Sequence, residues 1–243
     1  MKTVKSSKYL LISLSLVVMS ACATTEASRT PEENYAIGER SFKRGNYETA
    51  IAEWKKVKES FQSPDLTSKA ELGIADAYFK NKSYPEAAAA YEDFRKLHPL
   101  HQKSEYALYM LSLCHYKQIH GIDTDQTPVT NAVATLESYI RTYPSGEHIQ
   151  QVKEKLLDCR SKQLQYEIYV GEFYLKTGSY PAAISRFESA FVKFPDSGQH
   201  DELLYNLGKA YQKSGERNKA KIFFERLKIE YPTSRYSDKV PRL

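Results

Sequence analysis

Histidine is the residue type in this chain best suited to chemistry, because a neutral imidazole can bind a metal or transfer a proton near neutral pH. Of the six histidines, His98 lies close to His101 and His115 close to His120. Neither spacing matches an HExxH helix or the Cys/His pattern of a zinc site. The sequence also lacks a glycine-rich phosphate loop and a GxSxG turn. We therefore expect surface or helix-capping histidines, no metal, no cofactor and no enzymatic activity.

Cys22 is the residue best suited to covalent modification. It follows Ser20, Ala21 and an apolar run over residues 9–19, which in turn follows three lysines within the first eight residues. The run is too short to span a bilayer, which takes about 20 apolar residues, and its layout is that of a signal peptide. Small residues directly before a cysteine resemble the bacterial lipobox, in which the cysteine is lipidated at sulfur and becomes the mature N-terminus. We predict a signal peptide at 1–21 and lipidated Cys22; an ordinary signal peptide with an incidental cysteine is the alternative.

The segment after Cys22 indicates where the body of the protein lies. Residues 22–32 form the lipidated cysteine and a polar stretch without apolar periodicity, which is typical of a flexible leash. By resemblance, Ala23 in place of aspartate favours the outer membrane, on its periplasmic face. Without the three leader lysines, basic residues outnumber acidic ones by only two, and no basic face stands out. We therefore expect a lipid-anchored periplasmic protein that does not bind nucleic acid.

The other two cysteines, Cys114 and Cys159, lie far apart in sequence among apolar neighbours. An oxidising compartment would permit a disulfide between them. Their helical, apolar surroundings favour two buried thiols instead.

Four stretches of the chain end in a similar phrase that closes with proline. The prolines are Pro99, Pro144, Pro195 and Pro232, and twelve residues before each lies an alanine, at positions 87, 132, 183 and 220. With small, leucine and aromatic residues at fixed offsets, this is the tetratricopeptide signature of two antiparallel helices per unit. Ala50 and Trp54 mark a weaker first unit, which Pro64 closes two places late. We predict an all-α chain of five tetratricopeptide units that form an α-solenoid.

Each repeated position has a physical reason. A small residue in the first helix, such as Gly171, and the alanine of the second helix, such as Ala183, should face each other where the helices cross, because bulk there would separate them. Proline lacks an N–H and should end the second helix. Gly45, Gly178 and Gly215 fall where the turn between paired helices is expected.

The spacing between corresponding alanines is uneven, at 37, 45, 51 and 37 residues. A loop over residues 118–131 accounts for the second interval. Residues 147–176, which contain no proline and no glycine before Gly171, account for the third and predict one long helix between units three and four. We therefore divide the array into units one to three at 33–145, and the bridging helix with units four and five at 146–243.

The first helices of stacked units should line a concave groove, with positions 5, 9 and 12 of each unit pointing inward. Aromatic and apolar side chains with a few acids suit an extended peptide that carries aromatic residues, and we expect about half of these positions to be buried between units. The predicted groove residues are Tyr35, Glu39 and Phe42 in unit one, Leu72, Asp76 and Phe79 in unit two, and Tyr109, Leu113 and Tyr116 in unit three.

Lipobox, leash, five units, an enlarged unit-three loop and a long bridging helix together resemble the BamD family, the lipoproteins of the outer-membrane β-barrel assembly machine. The resemblance covers the whole chain, although the unit-three loop matches loosely. It implies that units one to three recognise C-terminal targeting segments of unfolded outer-membrane proteins. It also implies that units four and five bind a POTRA domain of the barrel subunit BamA, that Arg186 lies in that interface, and that other assembly lipoproteins join. From the residues alone, Arg186 is a solvated surface charge.

A second class of function stays open at this point, which is another periplasmic tetratricopeptide lipoprotein such as a pilotin or a cell-envelope coordinator. Pilotins usually have a more even ladder of units, and coordinators often carry an N-terminal coiled coil. Neither feature matches this chain.

Overall fold

The computed structural model describes residues 29–60, 63–195, 198 and 200–241. The predicted signal peptide, Cys22 and the leash up to residue 28 lie outside these residues. The described part forms ten α-helices: α1 (Pro31–Lys43), α2 (Tyr47–Ser60), α3 (Pro64–Lys80), α4 (Tyr84–Leu97), α5 (Ser104–Lys117), α6 (Thr127–Thr142), α7 (Ile149–Lys176), α8 (Tyr180–Lys193), α9 (His200–Lys213) and α10 (Arg217–Glu230).

The helices pack in sequence order, each against the one before it. They form five helical pairs, from α1 with α2 to α9 with α10, which confirms the predicted tetratricopeptide solenoid. First helices also contact across units, as α1 does with α3 and α7 with α9. Within the described ranges no helix combines the length and the apolar character needed to cross a membrane.

The repeated proline phrase ends the second helix in four units with one geometry. The residues before the four prolines have φ between −126° and −131° and ψ between 57° and 66°, and each donates its N–H to the carbonyl four residues earlier; they are His98, Tyr143, Phe194 and Tyr231. The turns between paired helices take a left-handed residue at Gly45, Gly178 and Gly215, and at Lys82, whose φ is 62°. Lys82 holds this conformation without the glycine that favours it.

Two expectations about the ends of helices are wrong. Pro64 is the first residue of α3, after the N-cap Ser63, and does not end unit one; a missing N–H costs nothing at a helix start. The array begins at Pro31, two residues before the predicted boundary. Thr30 caps α1 in a reciprocal pair of hydrogen bonds with Glu33, so residues 31 and 32 belong to the first turn of the helix and not to the leash.

The close contact where paired helices cross also differs from the expectation. A Cβ at Gly38, Gly171 or Gly208 would lie within 3.0 Å of an aromatic ring of the partner helix, which is Trp54, Phe187 or Phe224 respectively. The atoms nearest to the small residue are therefore those of the ring four residues after the repeated alanine, and not those of the alanine. The alanines at these crossings are fully buried.

Helix α7 confirms the predicted bridging helix and carries two cores along its 28 residues. Val152, Leu156 and Cys159 pack with α3 to α6, whereas Leu164 and Ile168 pack with α8 to α10. The change of core therefore falls within α7. Cys114 and Cys159 are free, buried thiols, as predicted, and burial raises the pKa of each to about 12.

Candidate functional site

A cavity of about 480 Å³ lies between α1, α3 and the start of α5. We call it the N-terminal cavity. Five of the nine predicted groove residues line it: Tyr35, Glu39, Phe42, Leu72 and Asp76. The other lining residues are Lys43, Trp54, Asp65, Ser68, Lys69, Gly73, His101, Gln102 and Lys103.

An aromatic wall forms one side of the N-terminal cavity. The Trp54 ring centroid lies 6.2 Å from that of Tyr35 and 5.7 Å from that of Phe42. The indole is only 4% exposed and lies between α1 and α3, where Gly38 and Gly73 leave room for it. Groove positions in first helices could not reveal Trp54, because it belongs to the second helix of unit one. Its aromatic position four residues after Ala50 was the available signal.

Asp76 lines the same cavity as a largely buried carboxylate. Its Oδ1 accepts hydrogen bonds from the hydroxyls of Tyr91 and Tyr106, the latter at 2.9 Å. Both hydroxyls bond to Oδ1, so neither of these hydrogen bonds uses Oδ2 of Asp76. Burial raises the pKa of Asp76 above 3.8, and the two hydrogen bonds partly oppose that rise.

Charged side chains of both signs surround the mouth of the N-terminal cavity. Lys69 binds Asp65 at 2.6 Å on the first turns of α3. Lys103 lies 5.8 Å from the ring centroid of Tyr106. The segment from His101 to Lys103 reaches the cavity because the turn between α4 and α5 folds back over α3, which no helical period predicts.

The four other predicted groove residues do not line the N-terminal cavity. Phe79 packs edge-on against Tyr84 at 5.5 Å, and Leu113 packs against the core of units two and three. Tyr109 stacks on His148 at 3.9 Å, and Tyr116 donates a hydrogen bond of 2.8 Å to Asp158. Residues at or next to the first half of α7 thus cover the inner face of unit three.

The expectation that about half of the nine groove residues are buried is wrong. Eight of them are half-buried and Glu39 is exposed.

Arg186 on α8 pairs with Glu167 on α7 at 2.7 Å. Its side chain is 36% exposed, and that of Glu167 is 13% exposed. Arg186 is therefore part of an ion pair within unit four that keeps several guanidinium N–H groups available at the surface.

His98 has a structural role at the end of α4. His98 caps α4, and its Nε2 lies 2.5 Å from Glu71, which Lys58 also contacts at 3.3 Å. Within the described ranges no three histidine, cysteine or carboxylate side chains are placed to hold a metal ion.

We predict that Asp76 makes stability increase toward acid pH relative to an Asp76→Asn variant. A pKa raised on folding means that the folded state binds the proton more tightly, so the contribution is present near pH 3.8 and is lost as pH rises through the folded pKa. Urea unfolding of both proteins at a series of pH values measures this difference. A difference that is constant with pH contradicts it. Every other carboxylate is present in both proteins, so its contribution to the pH dependence of stability cancels in the difference.

The model of the YfiO family, described as outer membrane lipoprotein, matches residues 27–223. The chain belongs to this family. The match includes all of the N-terminal cavity, the bridging helix α7 and Arg186, so the YfiO family architecture extends over both halves of the array.

Several relatives of this YfiO family member share one name. The chain is 26% identical to the outer membrane protein assembly factor BamD of Caulobacter vibrioides, over 86% of this chain and 68% of that one. It is 26% identical to BamD of Neisseria meningitidis serogroup A, over 93% and 92%, and 28% identical to BamD of Rickettsia prowazekii, over 81% and 78%. These relatives support a role in outer-membrane protein assembly.

Solved structures similar to the chain include repeat proteins. The TPR2AB domain of yeast Sti1, in its complex with pHSP90, has a TM-score of 0.44 and 11% identity over 85% of this chain and 80% of that one. YrrB, a TPR protein with an unusual peptide-binding site, has a TM-score of 0.34 and 17% identity, over 86% and 91%.

Proposed function

We propose that this YfiO family member is a non-enzymatic scaffold of the outer-membrane β-barrel assembly machine. Lipidation of Cys22 holds it at the periplasmic face of the outer membrane. Units one and two bind C-terminal segments of unfolded outer-membrane proteins, and units four and five bind the POTRA region of a BamA-like barrel subunit. The names of its relatives support the general role, and the two binding assignments rest on the surfaces described above.

The observation that carries the peptide assignment is the convergence of five predicted groove residues on one cavity. Tyr35, Phe42 and Trp54 form an apolar, aromatic wall that suits an aromatic side chain. Oδ2 of Asp76, to which neither tyrosine bonds, can accept a hydrogen bond from a peptide N–H. A polar group of this kind fixes the orientation of a ligand in an otherwise apolar pocket.

The proposed peptide site is shorter than the nine predicted residues. Tyr109 and Tyr116 already have partners in His148 and Asp158, so a peptide along unit three would have to displace them. Units one and two present the open cavity. The groove function is therefore assigned to Tyr35, Glu39, Phe42, Leu72 and Asp76, with Phe79, Tyr109, Leu113 and Tyr116 outside the primary site.

A photo-crosslinking experiment tests the peptide site with a matched control. Phe42 and Tyr116 hold the same position of their units, but only Phe42 lines the cavity. A benzophenone amino acid at position 42 should trap a peptide with the C-terminal sequence of an outer-membrane β-barrel protein, and the same group at position 116 should not. Phe42→Ala should weaken peptide binding about tenfold, since a buried aromatic anchor contributes more than about 1 kcal/mol.

Two results would contradict the peptide proposal. One is equal crosslinking at positions 42 and 116, which indicates non-specific contact with the unfolded peptide. The other is unchanged peptide affinity of Phe42→Ala in a protein whose unfolding transition matches that of the parent.

A further inference from the structure

The turn between α4 and α5 presents the most exposed large apolar side chain of the described residues. Leu100 is 99% exposed, and Leu97, the last residue of α4, is 59% exposed. On the opposite edge of units one and two, the turns at residues 44–46 and 81–83 contain no large apolar residue. In units one and two, the exposed large apolar side chains therefore lie at this edge.

The turn that carries Leu100 is rigidly built. Ser104 Oγ donates to the His98 carbonyl at 2.7 Å, and the His101 N–H donates to the same carbonyl at 3.1 Å. Both histidine rings pack on Phe94, with centroid distances of 5.0 and 5.3 Å, and Phe94 is buried in the core. Leu100 is thus fixed in its outward position, and inserting it into an apolar medium would need little further ordering of the turn.

The sequence segment around Leu100 is basic, although two of its side chains are paired with acidic residues outside it: Lys96 with Glu92 at 2.8 Å and His98 with Glu71 at 2.5 Å. Residues 95–103 contain Arg95, Lys96, Lys103 and two histidines, and no acidic residue. Apolar side chains flanked by basic ones are the composition that binds the interface of a bilayer with anionic headgroups.

The leash enters the array at the same edge. Helix α1 starts at Pro31, and antiparallel pairing places the starts of α1, α3 and α5 together with the ends of α2 and α4. The ion pairs of Glu71 with Lys58 and with His98 join these ends directly. Eight residues connect Cys22 to Thr30 and span at most about 29 Å. A lipid on Cys22 would therefore keep this edge close to the bilayer.

We propose that the edge carrying Leu97 and Leu100 contacts the lipid surface, with Leu100 inserted into the headgroup region. This inference rests on the proposed lipid anchor at Cys22. Because His101, Gln102 and Lys103 of the same turn line the N-terminal cavity, the contact holds the mouth of that cavity beside the membrane.

Site-specific fluorescence on the full, lipidated chain tests the contact. An environment-sensitive dye is attached to Leu100→Cys, and in a matched control to Lys82→Cys on the opposite edge. The protein is reconstituted in vesicles of phosphatidylethanolamine and phosphatidylglycerol, with or without a lipid that carries a quencher. Cys114 and Cys159 are buried, and the proposed lipid on the sulfur of Cys22 blocks that thiol, so the introduced cysteine is the one that is labelled.

We expect the lipid quencher to reduce emission at position 100 at least about twofold and to leave position 82 unchanged. Equal emission at position 100 with and without the quencher, in protein that floats with the vesicles, overturns the contact and leaves the anchor intact. Protection of position 100 from a soluble quencher without lipid quenching would mean that a protein covers the turn, and also overturns it. Protein that does not float with the vesicles would instead refute the anchor at Cys22 and the contact that rests on it.

Discussion

Gly171→Ala should lower the free energy of unfolding by about 2 kcal/mol, the range of overpacked cores. The new Cβ would lie within 3.0 Å of three ring carbons of Phe187. Phe187 is fully buried beside Leu164, Ala183 and Ala190, so its ring has no open space to enter. The loss would come despite the helix propensity of alanine, which exceeds that of glycine by about 1 kcal/mol.

A double-mutant cycle by chemical denaturation tests whether overlap with the Phe187 ring causes this loss of stability. Phe187→Leu alone should also destabilise, because it removes a buried ring. In the Gly171→Ala background the smaller side chain relieves the overlap, so the double variant should be less destabilised than the sum of the two single ones. Additive losses would contradict the proposed overlap. Ser185→Ala on the exposed face of α8 serves as the control and should change stability by less than about 0.5 kcal/mol.

The contact between Gly171 and Phe187 was predictable from the sequence only in part. The spacing of Gly171, Ala183 and Phe187 within a unit was sufficient to predict the helical pair and its crossing point, because the crossing depends on local packing. The spacing predicts that Gly171 faces Ala183, whereas its nearest neighbour across the crossing is the ring of Phe187. Side-chain direction on the second helix decides this, and residue spacing alone does not report it.

The inner face of unit three shows where sequence reasoning failed. Tyr116 and Asp158 are 42 residues apart, and their hydrogen bond depends on how α7 lies across α5. The long interval predicted α7 as one helix but not that its first half would pack with the N-terminal core. An ordinary unit would have left Tyr109 and Tyr116 lining an open groove. The insertion instead limits the cavity to units one and two.

The N-terminal cavity also includes residues from outside the predicted groove positions. Trp54 comes from a second helix, and Lys103 comes from a turn whose path is set by hydrogen bonds of His98 and His101. Neither residue occupies one of the three positions per unit from which the groove is predicted. Tyr35, Phe42 and Leu72 were predictable because concave positions recur once per unit.

Exchanging the charges of Arg186 and Glu167 should separate a role in partner binding from a role in folding. Arg186→Glu alone would place two carboxylates together, one of them on the 13% exposed side chain of Glu167, so loss of function could follow from local destabilisation. The double variant Arg186→Glu with Glu167→Arg restores an ion pair within unit four while it reverses the charge on α8. Comparing the single variant with the double variant therefore separates a loss of partner binding from a loss of folding stability.

If Arg186 binds a carboxylate of the barrel subunit, co-purification of that subunit from solubilised membranes should fall about tenfold in both variants. The exchanged pair would still present the wrong charge on α8, and a close interfacial charge pair contributes about 1.5 kcal/mol or more. The unfolding transition of the double variant should match that of the parent. If the double variant recovers the barrel subunit fully, Arg186 acts only through its pair with Glu167, and the interface must lie elsewhere on units four and five.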